Sequence, residues 1–273
     1  PPRSASRPVG IEPERSRREE PDRADLVAVV QAATDFYQRQ LTTESGRRAV
    51  EVLKARGISG DATAAFGLGY APDSWRAVTE HLLGQGLSEE LLIEAGVVGR
   101  ARTGRLYDRM RNRLVFPVFD RDGQPRGFAG RLLGGDGPKY LNTPETELYR
   151  KRSLLYGLHL AEEPIREAGH AIVVEGYLAV IACHQAGFTN TASTAGTALT
   201  AEHLGSLSDI TSSVTLAFDG DEGGRLAVSR VAELDVDHPL RLRVAHLPPG
   251  QDPADLLRQG GDGFEQALAD AVP

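Results

Sequence analysis

Apolar residues in the first part of the chain recur every three or four positions, which is the spacing of amphipathic helices. The clearest run begins at Asp25 and places these side chains on one helical face: Leu26, Val29, Val30, Ala33, Phe36 and Tyr37. Shorter helices, several with a serine available as a cap, are predicted at residues 45–56, 59–66, 74–84 and 88–95. The pattern predicts a mostly α-helical module, in which the single tryptophan, Trp75, is expected to pack, with a role as a stacking platform as the alternative.

Between Arg113 and Leu133 the pattern changes to short stretches rich in β-branched and aromatic residues. The segments RLVFPVFD and PRGFAGRLL flank a turn that contains Asp122-Gly123. An Asp-Gly pair between two such stretches is a strong hairpin signal. We therefore predict a β hairpin here.

After Ala161 the chain alternates between β-rich and helical segments. Strands are predicted in AIVVEG, FTNTAST, SVTLAFDGD and LRLRVAHLP, and helices in YLAVIACHQAG and TAEHLGSL. This alternation predicts a mainly parallel sheet covered by helices. The predicted fold class is therefore α/β (α+β), with a mixed α+β subdomain at residues 25–160 and a parallel-sheet subdomain at 161–273. Residues 1–24 lack apolar periodicity and are predicted to form a flexible tail.

Composition excludes several classes of protein. The only cysteine, Cys183, cannot build a disulfide framework or a cysteine-rich zinc site, and it is expected to be buried. No apolar run approaches the roughly 20 residues of a membrane helix, and the first 25 residues lack the apolar segment of a secretory signal. We expect a soluble, cytoplasmic protein without a membrane partner.

Charge is distributed unevenly along the chain. The stretch from Arg100 to Arg152 contains thirteen Lys or Arg and six Asp or Glu, a local charge of +7 in a chain whose net charge is −7. A basic surface on an otherwise acidic protein is typical of a nucleic-acid track. For part of this stretch, a solvated charged face or an ordinary loop is the alternative.

Acidic residues follow three of the predicted parallel strands. Glu175 ends AIVVE, Asp219 and Asp221 end TLAFDGD, and Asp252 follows LRVAHLPPGQ. Ligands of such sheets bind at the carboxyl ends of the strands, and carboxylate oxygens suit Mg²⁺ or Mn²⁺. Taken singly, Glu175 could instead be a helix cap, and Asp219-Gly220-Asp221 a plain turn or cap. Their order within one alternating unit favours a metal site.

Other polar residues of this half carry a weaker signal. His184 and His203 fall within predicted helices and are expected to be structural or surface residues. The run Ser193–Thr197 could cradle a phosphate through its backbone or could simply connect a strand to a helix.

Long segments of the chain resemble the catalytic core of bacterial DnaG-type primases. Four are similar to the successive Toprim motifs of that family: VVEGY (173–177), STAGTALTAEHL (193–204), AFDGDEGGR (217–225) and LPPGQDPADLLR (247–258). The others are similar to its polymerase core: FYQRQL (36–41), GLGYAPDSW (67–75), YDRMRNRLVFPVFD (107–120), GFAGRLL (127–133) and PKYLNTPETELYRKRSLLYG (138–157). The resemblance runs from about residue 25 nearly to the end.

This resemblance implies a Toprim fold for the second subdomain and an enzyme that makes short RNA primers during DNA replication. The implied substrates are a single-stranded DNA template and nucleoside triphosphates, and the implied cofactor is Mg²⁺ or Mn²⁺, with no zinc in this chain. The catalytic and metal-binding acids would be Glu175, Asp219 and Asp221, with Asp252 as a further metal ligand. The residues that match nucleic-acid and nucleotide contacts are Arg109, Arg111, Arg131, Lys139, Asn142 and Lys151.

The chain also departs from the family pattern. A zinc-ribbon is not encoded here, and a replicative helicase would be reached only through a domain that is expected to be absent. The family's Glu-Gly-Tyr motif usually continues with an Asp where this chain has Ala179, which predicts weaker metal binding. Two alternatives therefore remain: nuclease or topoisomerase-like strand cleavage with a similar acid set, and a degenerate single-stranded DNA-binding module.

Overall fold

The structure is a computed structural model that describes residues 22–194, 196–232, 234 and 240–273. Residues 1–21 of the predicted tail lie outside the described residues. The first helix already begins at Arg23, because the Asp22 side chain caps it by accepting a hydrogen bond from the backbone N of Ala24. All six residues of the apolar face predicted from Asp25 onward are buried, so that helix is confirmed.

The first lobe combines short helices with small antiparallel sheets. Its helices are α1 (Arg23–Leu41), α2 (Arg47–Ala55), α3 (Gly60–Ala65), α4 (Ala77–Gly84) and α5 (Glu89–Glu94), with a 3₁₀ turn at Glu44–Gly46. Its strands are β1 (Gly69–Ala71), β2 (Val98–Arg100), β3 (Leu106–Asp108), β4 (Arg113–Phe119), β5 (Pro125–Leu132) and β6 (Tyr140–Asn142). The main sheet has the order β1-β4-β5-β6, and β2 pairs with β3. The pair β4–β5 confirms the predicted hairpin.

The second lobe is an α/β layer structure. Its elements in chain order are β7 (Leu155–Tyr156), α6 (Leu158–Ala168), β8 (Ala171–Val174), α7 (Tyr177–Gln185), β9 (Thr191–Thr194), α8 (Ala201–Ser208), β10 (Ser213–Leu216), α9 (Glu222–Ala232), β11 (Arg241–Val244), α10 (Pro253–Arg258) and α11 (Asp262–Ala269). The sheet order is β11-β10-β8-β9-β7, and every pairing is parallel except that of β7 with β9. All four residues of β8 are buried, as expected for a strand covered on both faces. The mainly parallel sheet is confirmed, and it also takes in β7, which precedes residue 161.

The two lobes share one core and several polar contacts. Phe116 of β4 stacks on Tyr177 of α7, with ring centroids 5.4 Å apart. At the surface, Arg121 in the β4–β5 turn donates to Glu162 of α6 at 2.7 Å and to Asp209 at 3.3 Å. These arginine contacts hold the pKa of Glu162 at about 2. The hairpin is therefore fastened to the parallel-sheet lobe both by packing and by charge.

Two expectations from composition can be compared with the fold. Cys183 is fully buried, and burial raises the pKa of its thiol to about 12, so it packs as a small apolar side chain. Among the described helices, none is both long enough and apolar enough to cross a bilayer.

Candidate functional site

The parallel sheet brings the predicted acids to one edge. Glu175 follows β8 and Asp219 follows β10, and these two strands are hydrogen-bonded neighbours. The backbone N of Asp219 donates to Oε1 of Glu175 at 3.2 Å. Asp252 follows β11, which lies on the other side of β10. The carboxyl ends of parallel strands meet at one edge of a sheet, which explains the convergence of residues far apart in sequence.

Burial and neighbouring negative charge raise the pKa values of Asp219 and Glu175. Partial burial, followed by the charges of Glu175, Asp252 and Asp221, raises the pKa of Asp219 to about 7. Burial and the charge of Asp221 also raise the pKa of Glu175. Negative charge is therefore concentrated where solvent screens it poorly, an arrangement that a bound cation would relieve.

Two of these acids also cap helices: Asp221, for which a cap is the alternative interpretation, and Asp252. Glu175 is not a cap, because Gly176 occupies that position. Oδ1 of Asp221 accepts a hydrogen bond from Gly224 N at 2.9 Å, at the start of α9. Oδ1 of Asp252 accepts one from Asp255 N at 2.7 Å, at the start of α10. A carboxylate has two oxygens, so a cap that uses one of them is compatible with a metal contact through the other.

The oxygen-only donor set fits a hard dication that is shared with substrate. Within the described residues, no three His, Cys, Asp or Glu side chains are grouped closely enough to form a complete protein cage for a metal. Mg²⁺ is typically held by one or a few carboxylates together with water and substrate phosphates, which matches this open arrangement. Glu175 and Asp219, which are in direct contact, could supply part of such a coordination shell, with the charge of Asp221 nearby.

A cleft between the lobes is lined by both basic and acidic side chains. Its cavity of about 270 Å³ is lined by Glu175 and Asp219 from the parallel sheet and by Arg131 and Lys139 from the first lobe. Tyr140 lies beneath Arg131, whose guanidinium carbon is 5.8 Å from the ring centroid. A cleft lined by both carboxylates and cations can bind metal and phosphate together.

Two further arginines line this cleft and were not singled out from the sequence. Arg56 follows α2, and Arg258 ends α10, where it pairs with Asp255. The sequence places each of them at a helix end, where a basic residue is an ordinary partner of the helix dipole. Nothing in the local pattern distinguishes them from such residues.

A second, larger cavity lies on the first lobe. It has a volume of about 650 Å³ and is lined by Arg48, Arg109, Arg111 and Trp75, together with the loop at 134–138. One guanidinium N–H of Arg109 donates to Val98 O at 3.1 Å, and one of Arg111 donates to Asp108 O at 2.7 Å. These backbone contacts hold both guanidinium groups at the cavity wall.

Comparison with known proteins identifies the family. Residues 36–162 match the family model of the DNA primase catalytic core, N-terminal domain, and residues 172–257 match a Toprim-like model. The crystal structure of the RNA polymerase domain of Mycobacterium tuberculosis primase DnaG is 35% identical, with a TM-score of 0.87, and the match covers 92% of this chain and 85% of that one. The chain belongs to the bacterial DnaG primase family. The resemblance stated from its motifs is thus confirmed.

Curated DnaG relatives are longer than this chain. The DNA primase of Pseudomonas putida is 41% identical over 261 residues, which cover 92% of this chain and 40% of that protein. The DNA primase of Deinococcus radiodurans is 42% identical over 248 residues, which cover 90% of this chain and 43% of that protein. A DnaG primase catalytic domain bound to single-stranded DNA is 37% identical, with a TM-score of 0.85, over 92% of this chain and 80% of that one. The chain thus spans about two fifths of the length of these curated relatives.

The DnaG-type basic residues predicted from the motifs do not all meet at one place. Arg131 and Lys139 line the acidic cleft, whereas Arg109 and Arg111 line the larger cavity. Lys151 lines neither of these two cavities, and its backbone carbonyl O lies 2.9 Å from Nε2 of His203. Its assignment as a nucleotide or DNA contact stays a prediction.

The remaining polar residues considered in this DnaG chain have structural partners. His203 is buried and completes a capping box with Thr200, while His184 lies 2.8 Å from Thr191 O. Asn142 accepts a hydrogen bond from the Tyr177 hydroxyl at 3.0 Å. The structural interpretation of both histidines is confirmed.

Trp75 corrects one expectation from the sequence. Its side chain is 64% exposed, and the guanidinium carbon of Arg111 lies 3.7 Å from its ring centroid. The carboxylate of Asp108 accepts hydrogen bonds from Val78 N and Thr79 N, so α4 begins at Ala77 and Trp75 stays in the preceding turn. The prediction that Trp75 packs was wrong, because the start of α4 is set by a residue thirty positions away.

Proposed function

We propose that this chain catalyses DNA-templated synthesis of short RNA primers from nucleoside triphosphates. In this reaction the 3′ hydroxyl of the growing chain attacks the α-phosphate of the incoming nucleotide, and pyrophosphate leaves. The observation that carries the proposal is the cleft that is lined by Glu175 and Asp219 together with Arg131 and Lys139. Membership of the DnaG family, whose curated relatives are DNA primases, supports the same reaction.

The acidic and the basic residues of the cleft would have separate roles, metal binding and triphosphate binding. Glu175, Asp219 and Asp221 would hold Mg²⁺ or Mn²⁺, with Asp252 as a further ligand. Such an ion reduces the charge repulsion at the reacting phosphate and aligns it. Arg131 and Lys139 would bind the triphosphate. Positioning and charge stabilisation are sufficient for phosphoryl transfer, so no protein nucleophile is required.

The larger cavity would bind the template. Arg109 and Arg111 offer positive charge at its wall, and the exposed ring of Trp75 offers a flat surface for a base. Arginine contacts to phosphates hold DNA without reading its bases, as an enzyme that copies many templates requires. The template would be single-stranded DNA in the cytoplasm.

A single incubation separates this function from its alternatives. The chain is mixed with single-stranded DNA, labelled ribonucleoside triphosphates and Mg²⁺ or Mn²⁺, and the products are resolved by size. We expect new RNA that requires both the template and the metal. Cut DNA without RNA would instead identify a nuclease. Bound but unchanged DNA would identify a binding module.

Ala179 predicts an unusual metal dependence. Its side chain is 8% exposed and lines the cleft beside Glu175, where the family motif usually carries an Asp. Because Mg²⁺ sites built from few carboxylates weaken when one is missing, we expect Ala179→Asp to lower the half-saturating Mg²⁺ concentration for primer synthesis by roughly 3- to 10-fold. Ala179→Asn is the matched control, since it adds the same volume without the charge. Identical metal titrations for Ala179→Asp and the unmodified chain would show that Ala179 merely packs.

A further inference from the structure

Tyr177 links the acid-bearing turn to β6 of the first lobe. It begins α7, two residues after Glu175, and only 4% of its surface is exposed. Its hydroxyl donates to Oδ1 of Asn142 at 3.0 Å, across a separation of 35 residues. Asn142 ends β6, whose first residue, Tyr140, lines the cleft.

The position of this hydroxyl is fixed by packing around the ring. The Tyr177 ring stacks on Phe116 at 5.4 Å, meets Tyr156 edge-on at 4.9 Å, and lies 5.8 Å from Tyr140. A ring held on several sides has little freedom to rotate, so its hydroxyl stays directed at Asn142.

The hydrogen bond also sets the orientation of the Asn142 carboxamide. With Oδ1 accepting from Tyr177, Nδ2 points toward the loop after β9, where a Cβ built on Gly196 would lie 2.5 Å from it. That loop belongs to the Ser193–Thr197 run, which was considered as a phosphate cradle. Thr194 Oγ1 donates to Thr197 O at 2.5 Å within the same loop. The amide therefore lies where three chain segments meet.

We propose that Tyr177 is a positioning residue for nucleoside triphosphate binding. Its hydroxyl holds the Asn142 carboxamide in one orientation and keeps β6, with its cationic neighbour Lys139, at a fixed place relative to Glu175. This inference rests on the proposed function, because it names the substrate of the same cleft. Tyr177 acts through Asn142 and itself makes no contact with the reacting groups.

The test removes one oxygen atom from Tyr177. Tyr177→Phe keeps the ring packing and removes the hydroxyl that donates to Asn142 and also interacts with the buried side chain of Tyr149. Because the lost hydrogen bond stabilises the ATP-binding arrangement of Asn142, we expect the Kd for ATP, measured by calorimetry with Mg²⁺, to rise by about 5- to 10-fold. The KM for ATP in primer synthesis should rise to a similar extent, with kcat at saturating ATP unchanged.

Tyr156→Phe is the matched control. It removes a buried hydroxyl from the same aromatic cluster, and that hydroxyl has no hydrogen-bond partner among the described residues. We expect this variant to bind ATP as tightly as the unmodified chain. Equal weakening of ATP binding by both variants would assign the effect to general loosening of the cluster and overturn the inference.

A double-variant comparison isolates the route through Asn142. Asn142→Ala should weaken ATP binding, and adding Tyr177→Phe to it should cause almost no further loss. Additive losses, or an unchanged Kd for Tyr177→Phe alone, would overturn the positioning role. ATP affinity is measured separately from catalysis. A chain that binds ATP but makes no RNA would therefore contradict the proposed function but leave the positioning role of Tyr177 testable. Absence of ATP binding by the unmodified chain would overturn both.

Discussion

Replacing Asp219 or Asp221 with Asn should abolish nucleotide addition while the fold stays intact. Asn has nearly the same shape as Asp, but it lacks the charge that attracts a dication. Asp219 contacts Glu175 through its backbone N, and that hydrogen bond survives the change. We expect primer synthesis to fall by at least about 1,000-fold, the scale seen when charge stabilisation is removed from a transition state. Synthesis is measured with labelled nucleotides at saturating Mg²⁺.

Although Asp219→Asn should abolish nucleotide addition, it should raise the thermal stability of the metal-free chain. The pKa of this carboxyl is raised from 3.8 to about 7 in the folded protein, so folding disfavours its charged form. Without metal, its contribution to stability therefore declines as pH rises from the unfolded value toward about 7. We expect Asp219→Asn to raise the Tm of the metal-free chain at pH 8, with the difference disappearing near pH 4.

One control variant serves both measurements, primer synthesis and Tm. Asp122→Asn removes an equal charge from the exposed turn of the β4–β5 hairpin. It should leave both synthesis and the Tm close to those of the unmodified chain. Undiminished synthesis by both Asp219→Asn and Asp221→Asn would refute the assignment of these acids to a metal.

Removing Arg109 and Arg111 together should weaken binding of single-stranded DNA by roughly 10- to 100-fold at low salt. Both side chains line the larger cavity, where each guanidinium group is anchored by a backbone carbonyl. Each lost phosphate contact reduces the number of counterions released on binding. The slope of log K against log salt should therefore become shallower by about 1.4, because a single-strand contact contributes about 0.7. Fluorescence anisotropy across a salt series measures both quantities.

The matched control removes the same charge from the other lobe. Arg230 and Arg241 are exposed, and neither lines the cleft or the larger cavity. Changing both to Ala should leave the salt slope unaltered. Trp75→Ala offers a further contrast, because loss of stacking should weaken binding while the slope stays the same. An unchanged slope for the Arg109 and Arg111 double variant would show that these arginines face solvent and hold no DNA.

Several features were determined by the sequence alone. Three patterns depend only on residues that are close in sequence. They are the apolar period of α1, the Asp-Gly turn between β4 and β5, and the alternation of strands and helices after Ala161. Such patterns are local, so one chain is sufficient to read them. The acids were found in the same way, because residues that follow parallel strands must meet at one edge of the sheet. Long motifs in a fixed order then indicated the family.

Only the tertiary structure decided which distant residues meet. The exposure of Trp75 depends on a capping acid, Asp108, from another segment, and Arg56 enters the acidic cleft because the two lobes pack together. The contact between Tyr177 and Asn142 likewise has no local signature. Hydrophobic periodicity specifies which face of an element is buried, but it does not specify which partner buries it. The packing of the whole core determines which partner buries each face, and the same packing forms the cleft between the lobes.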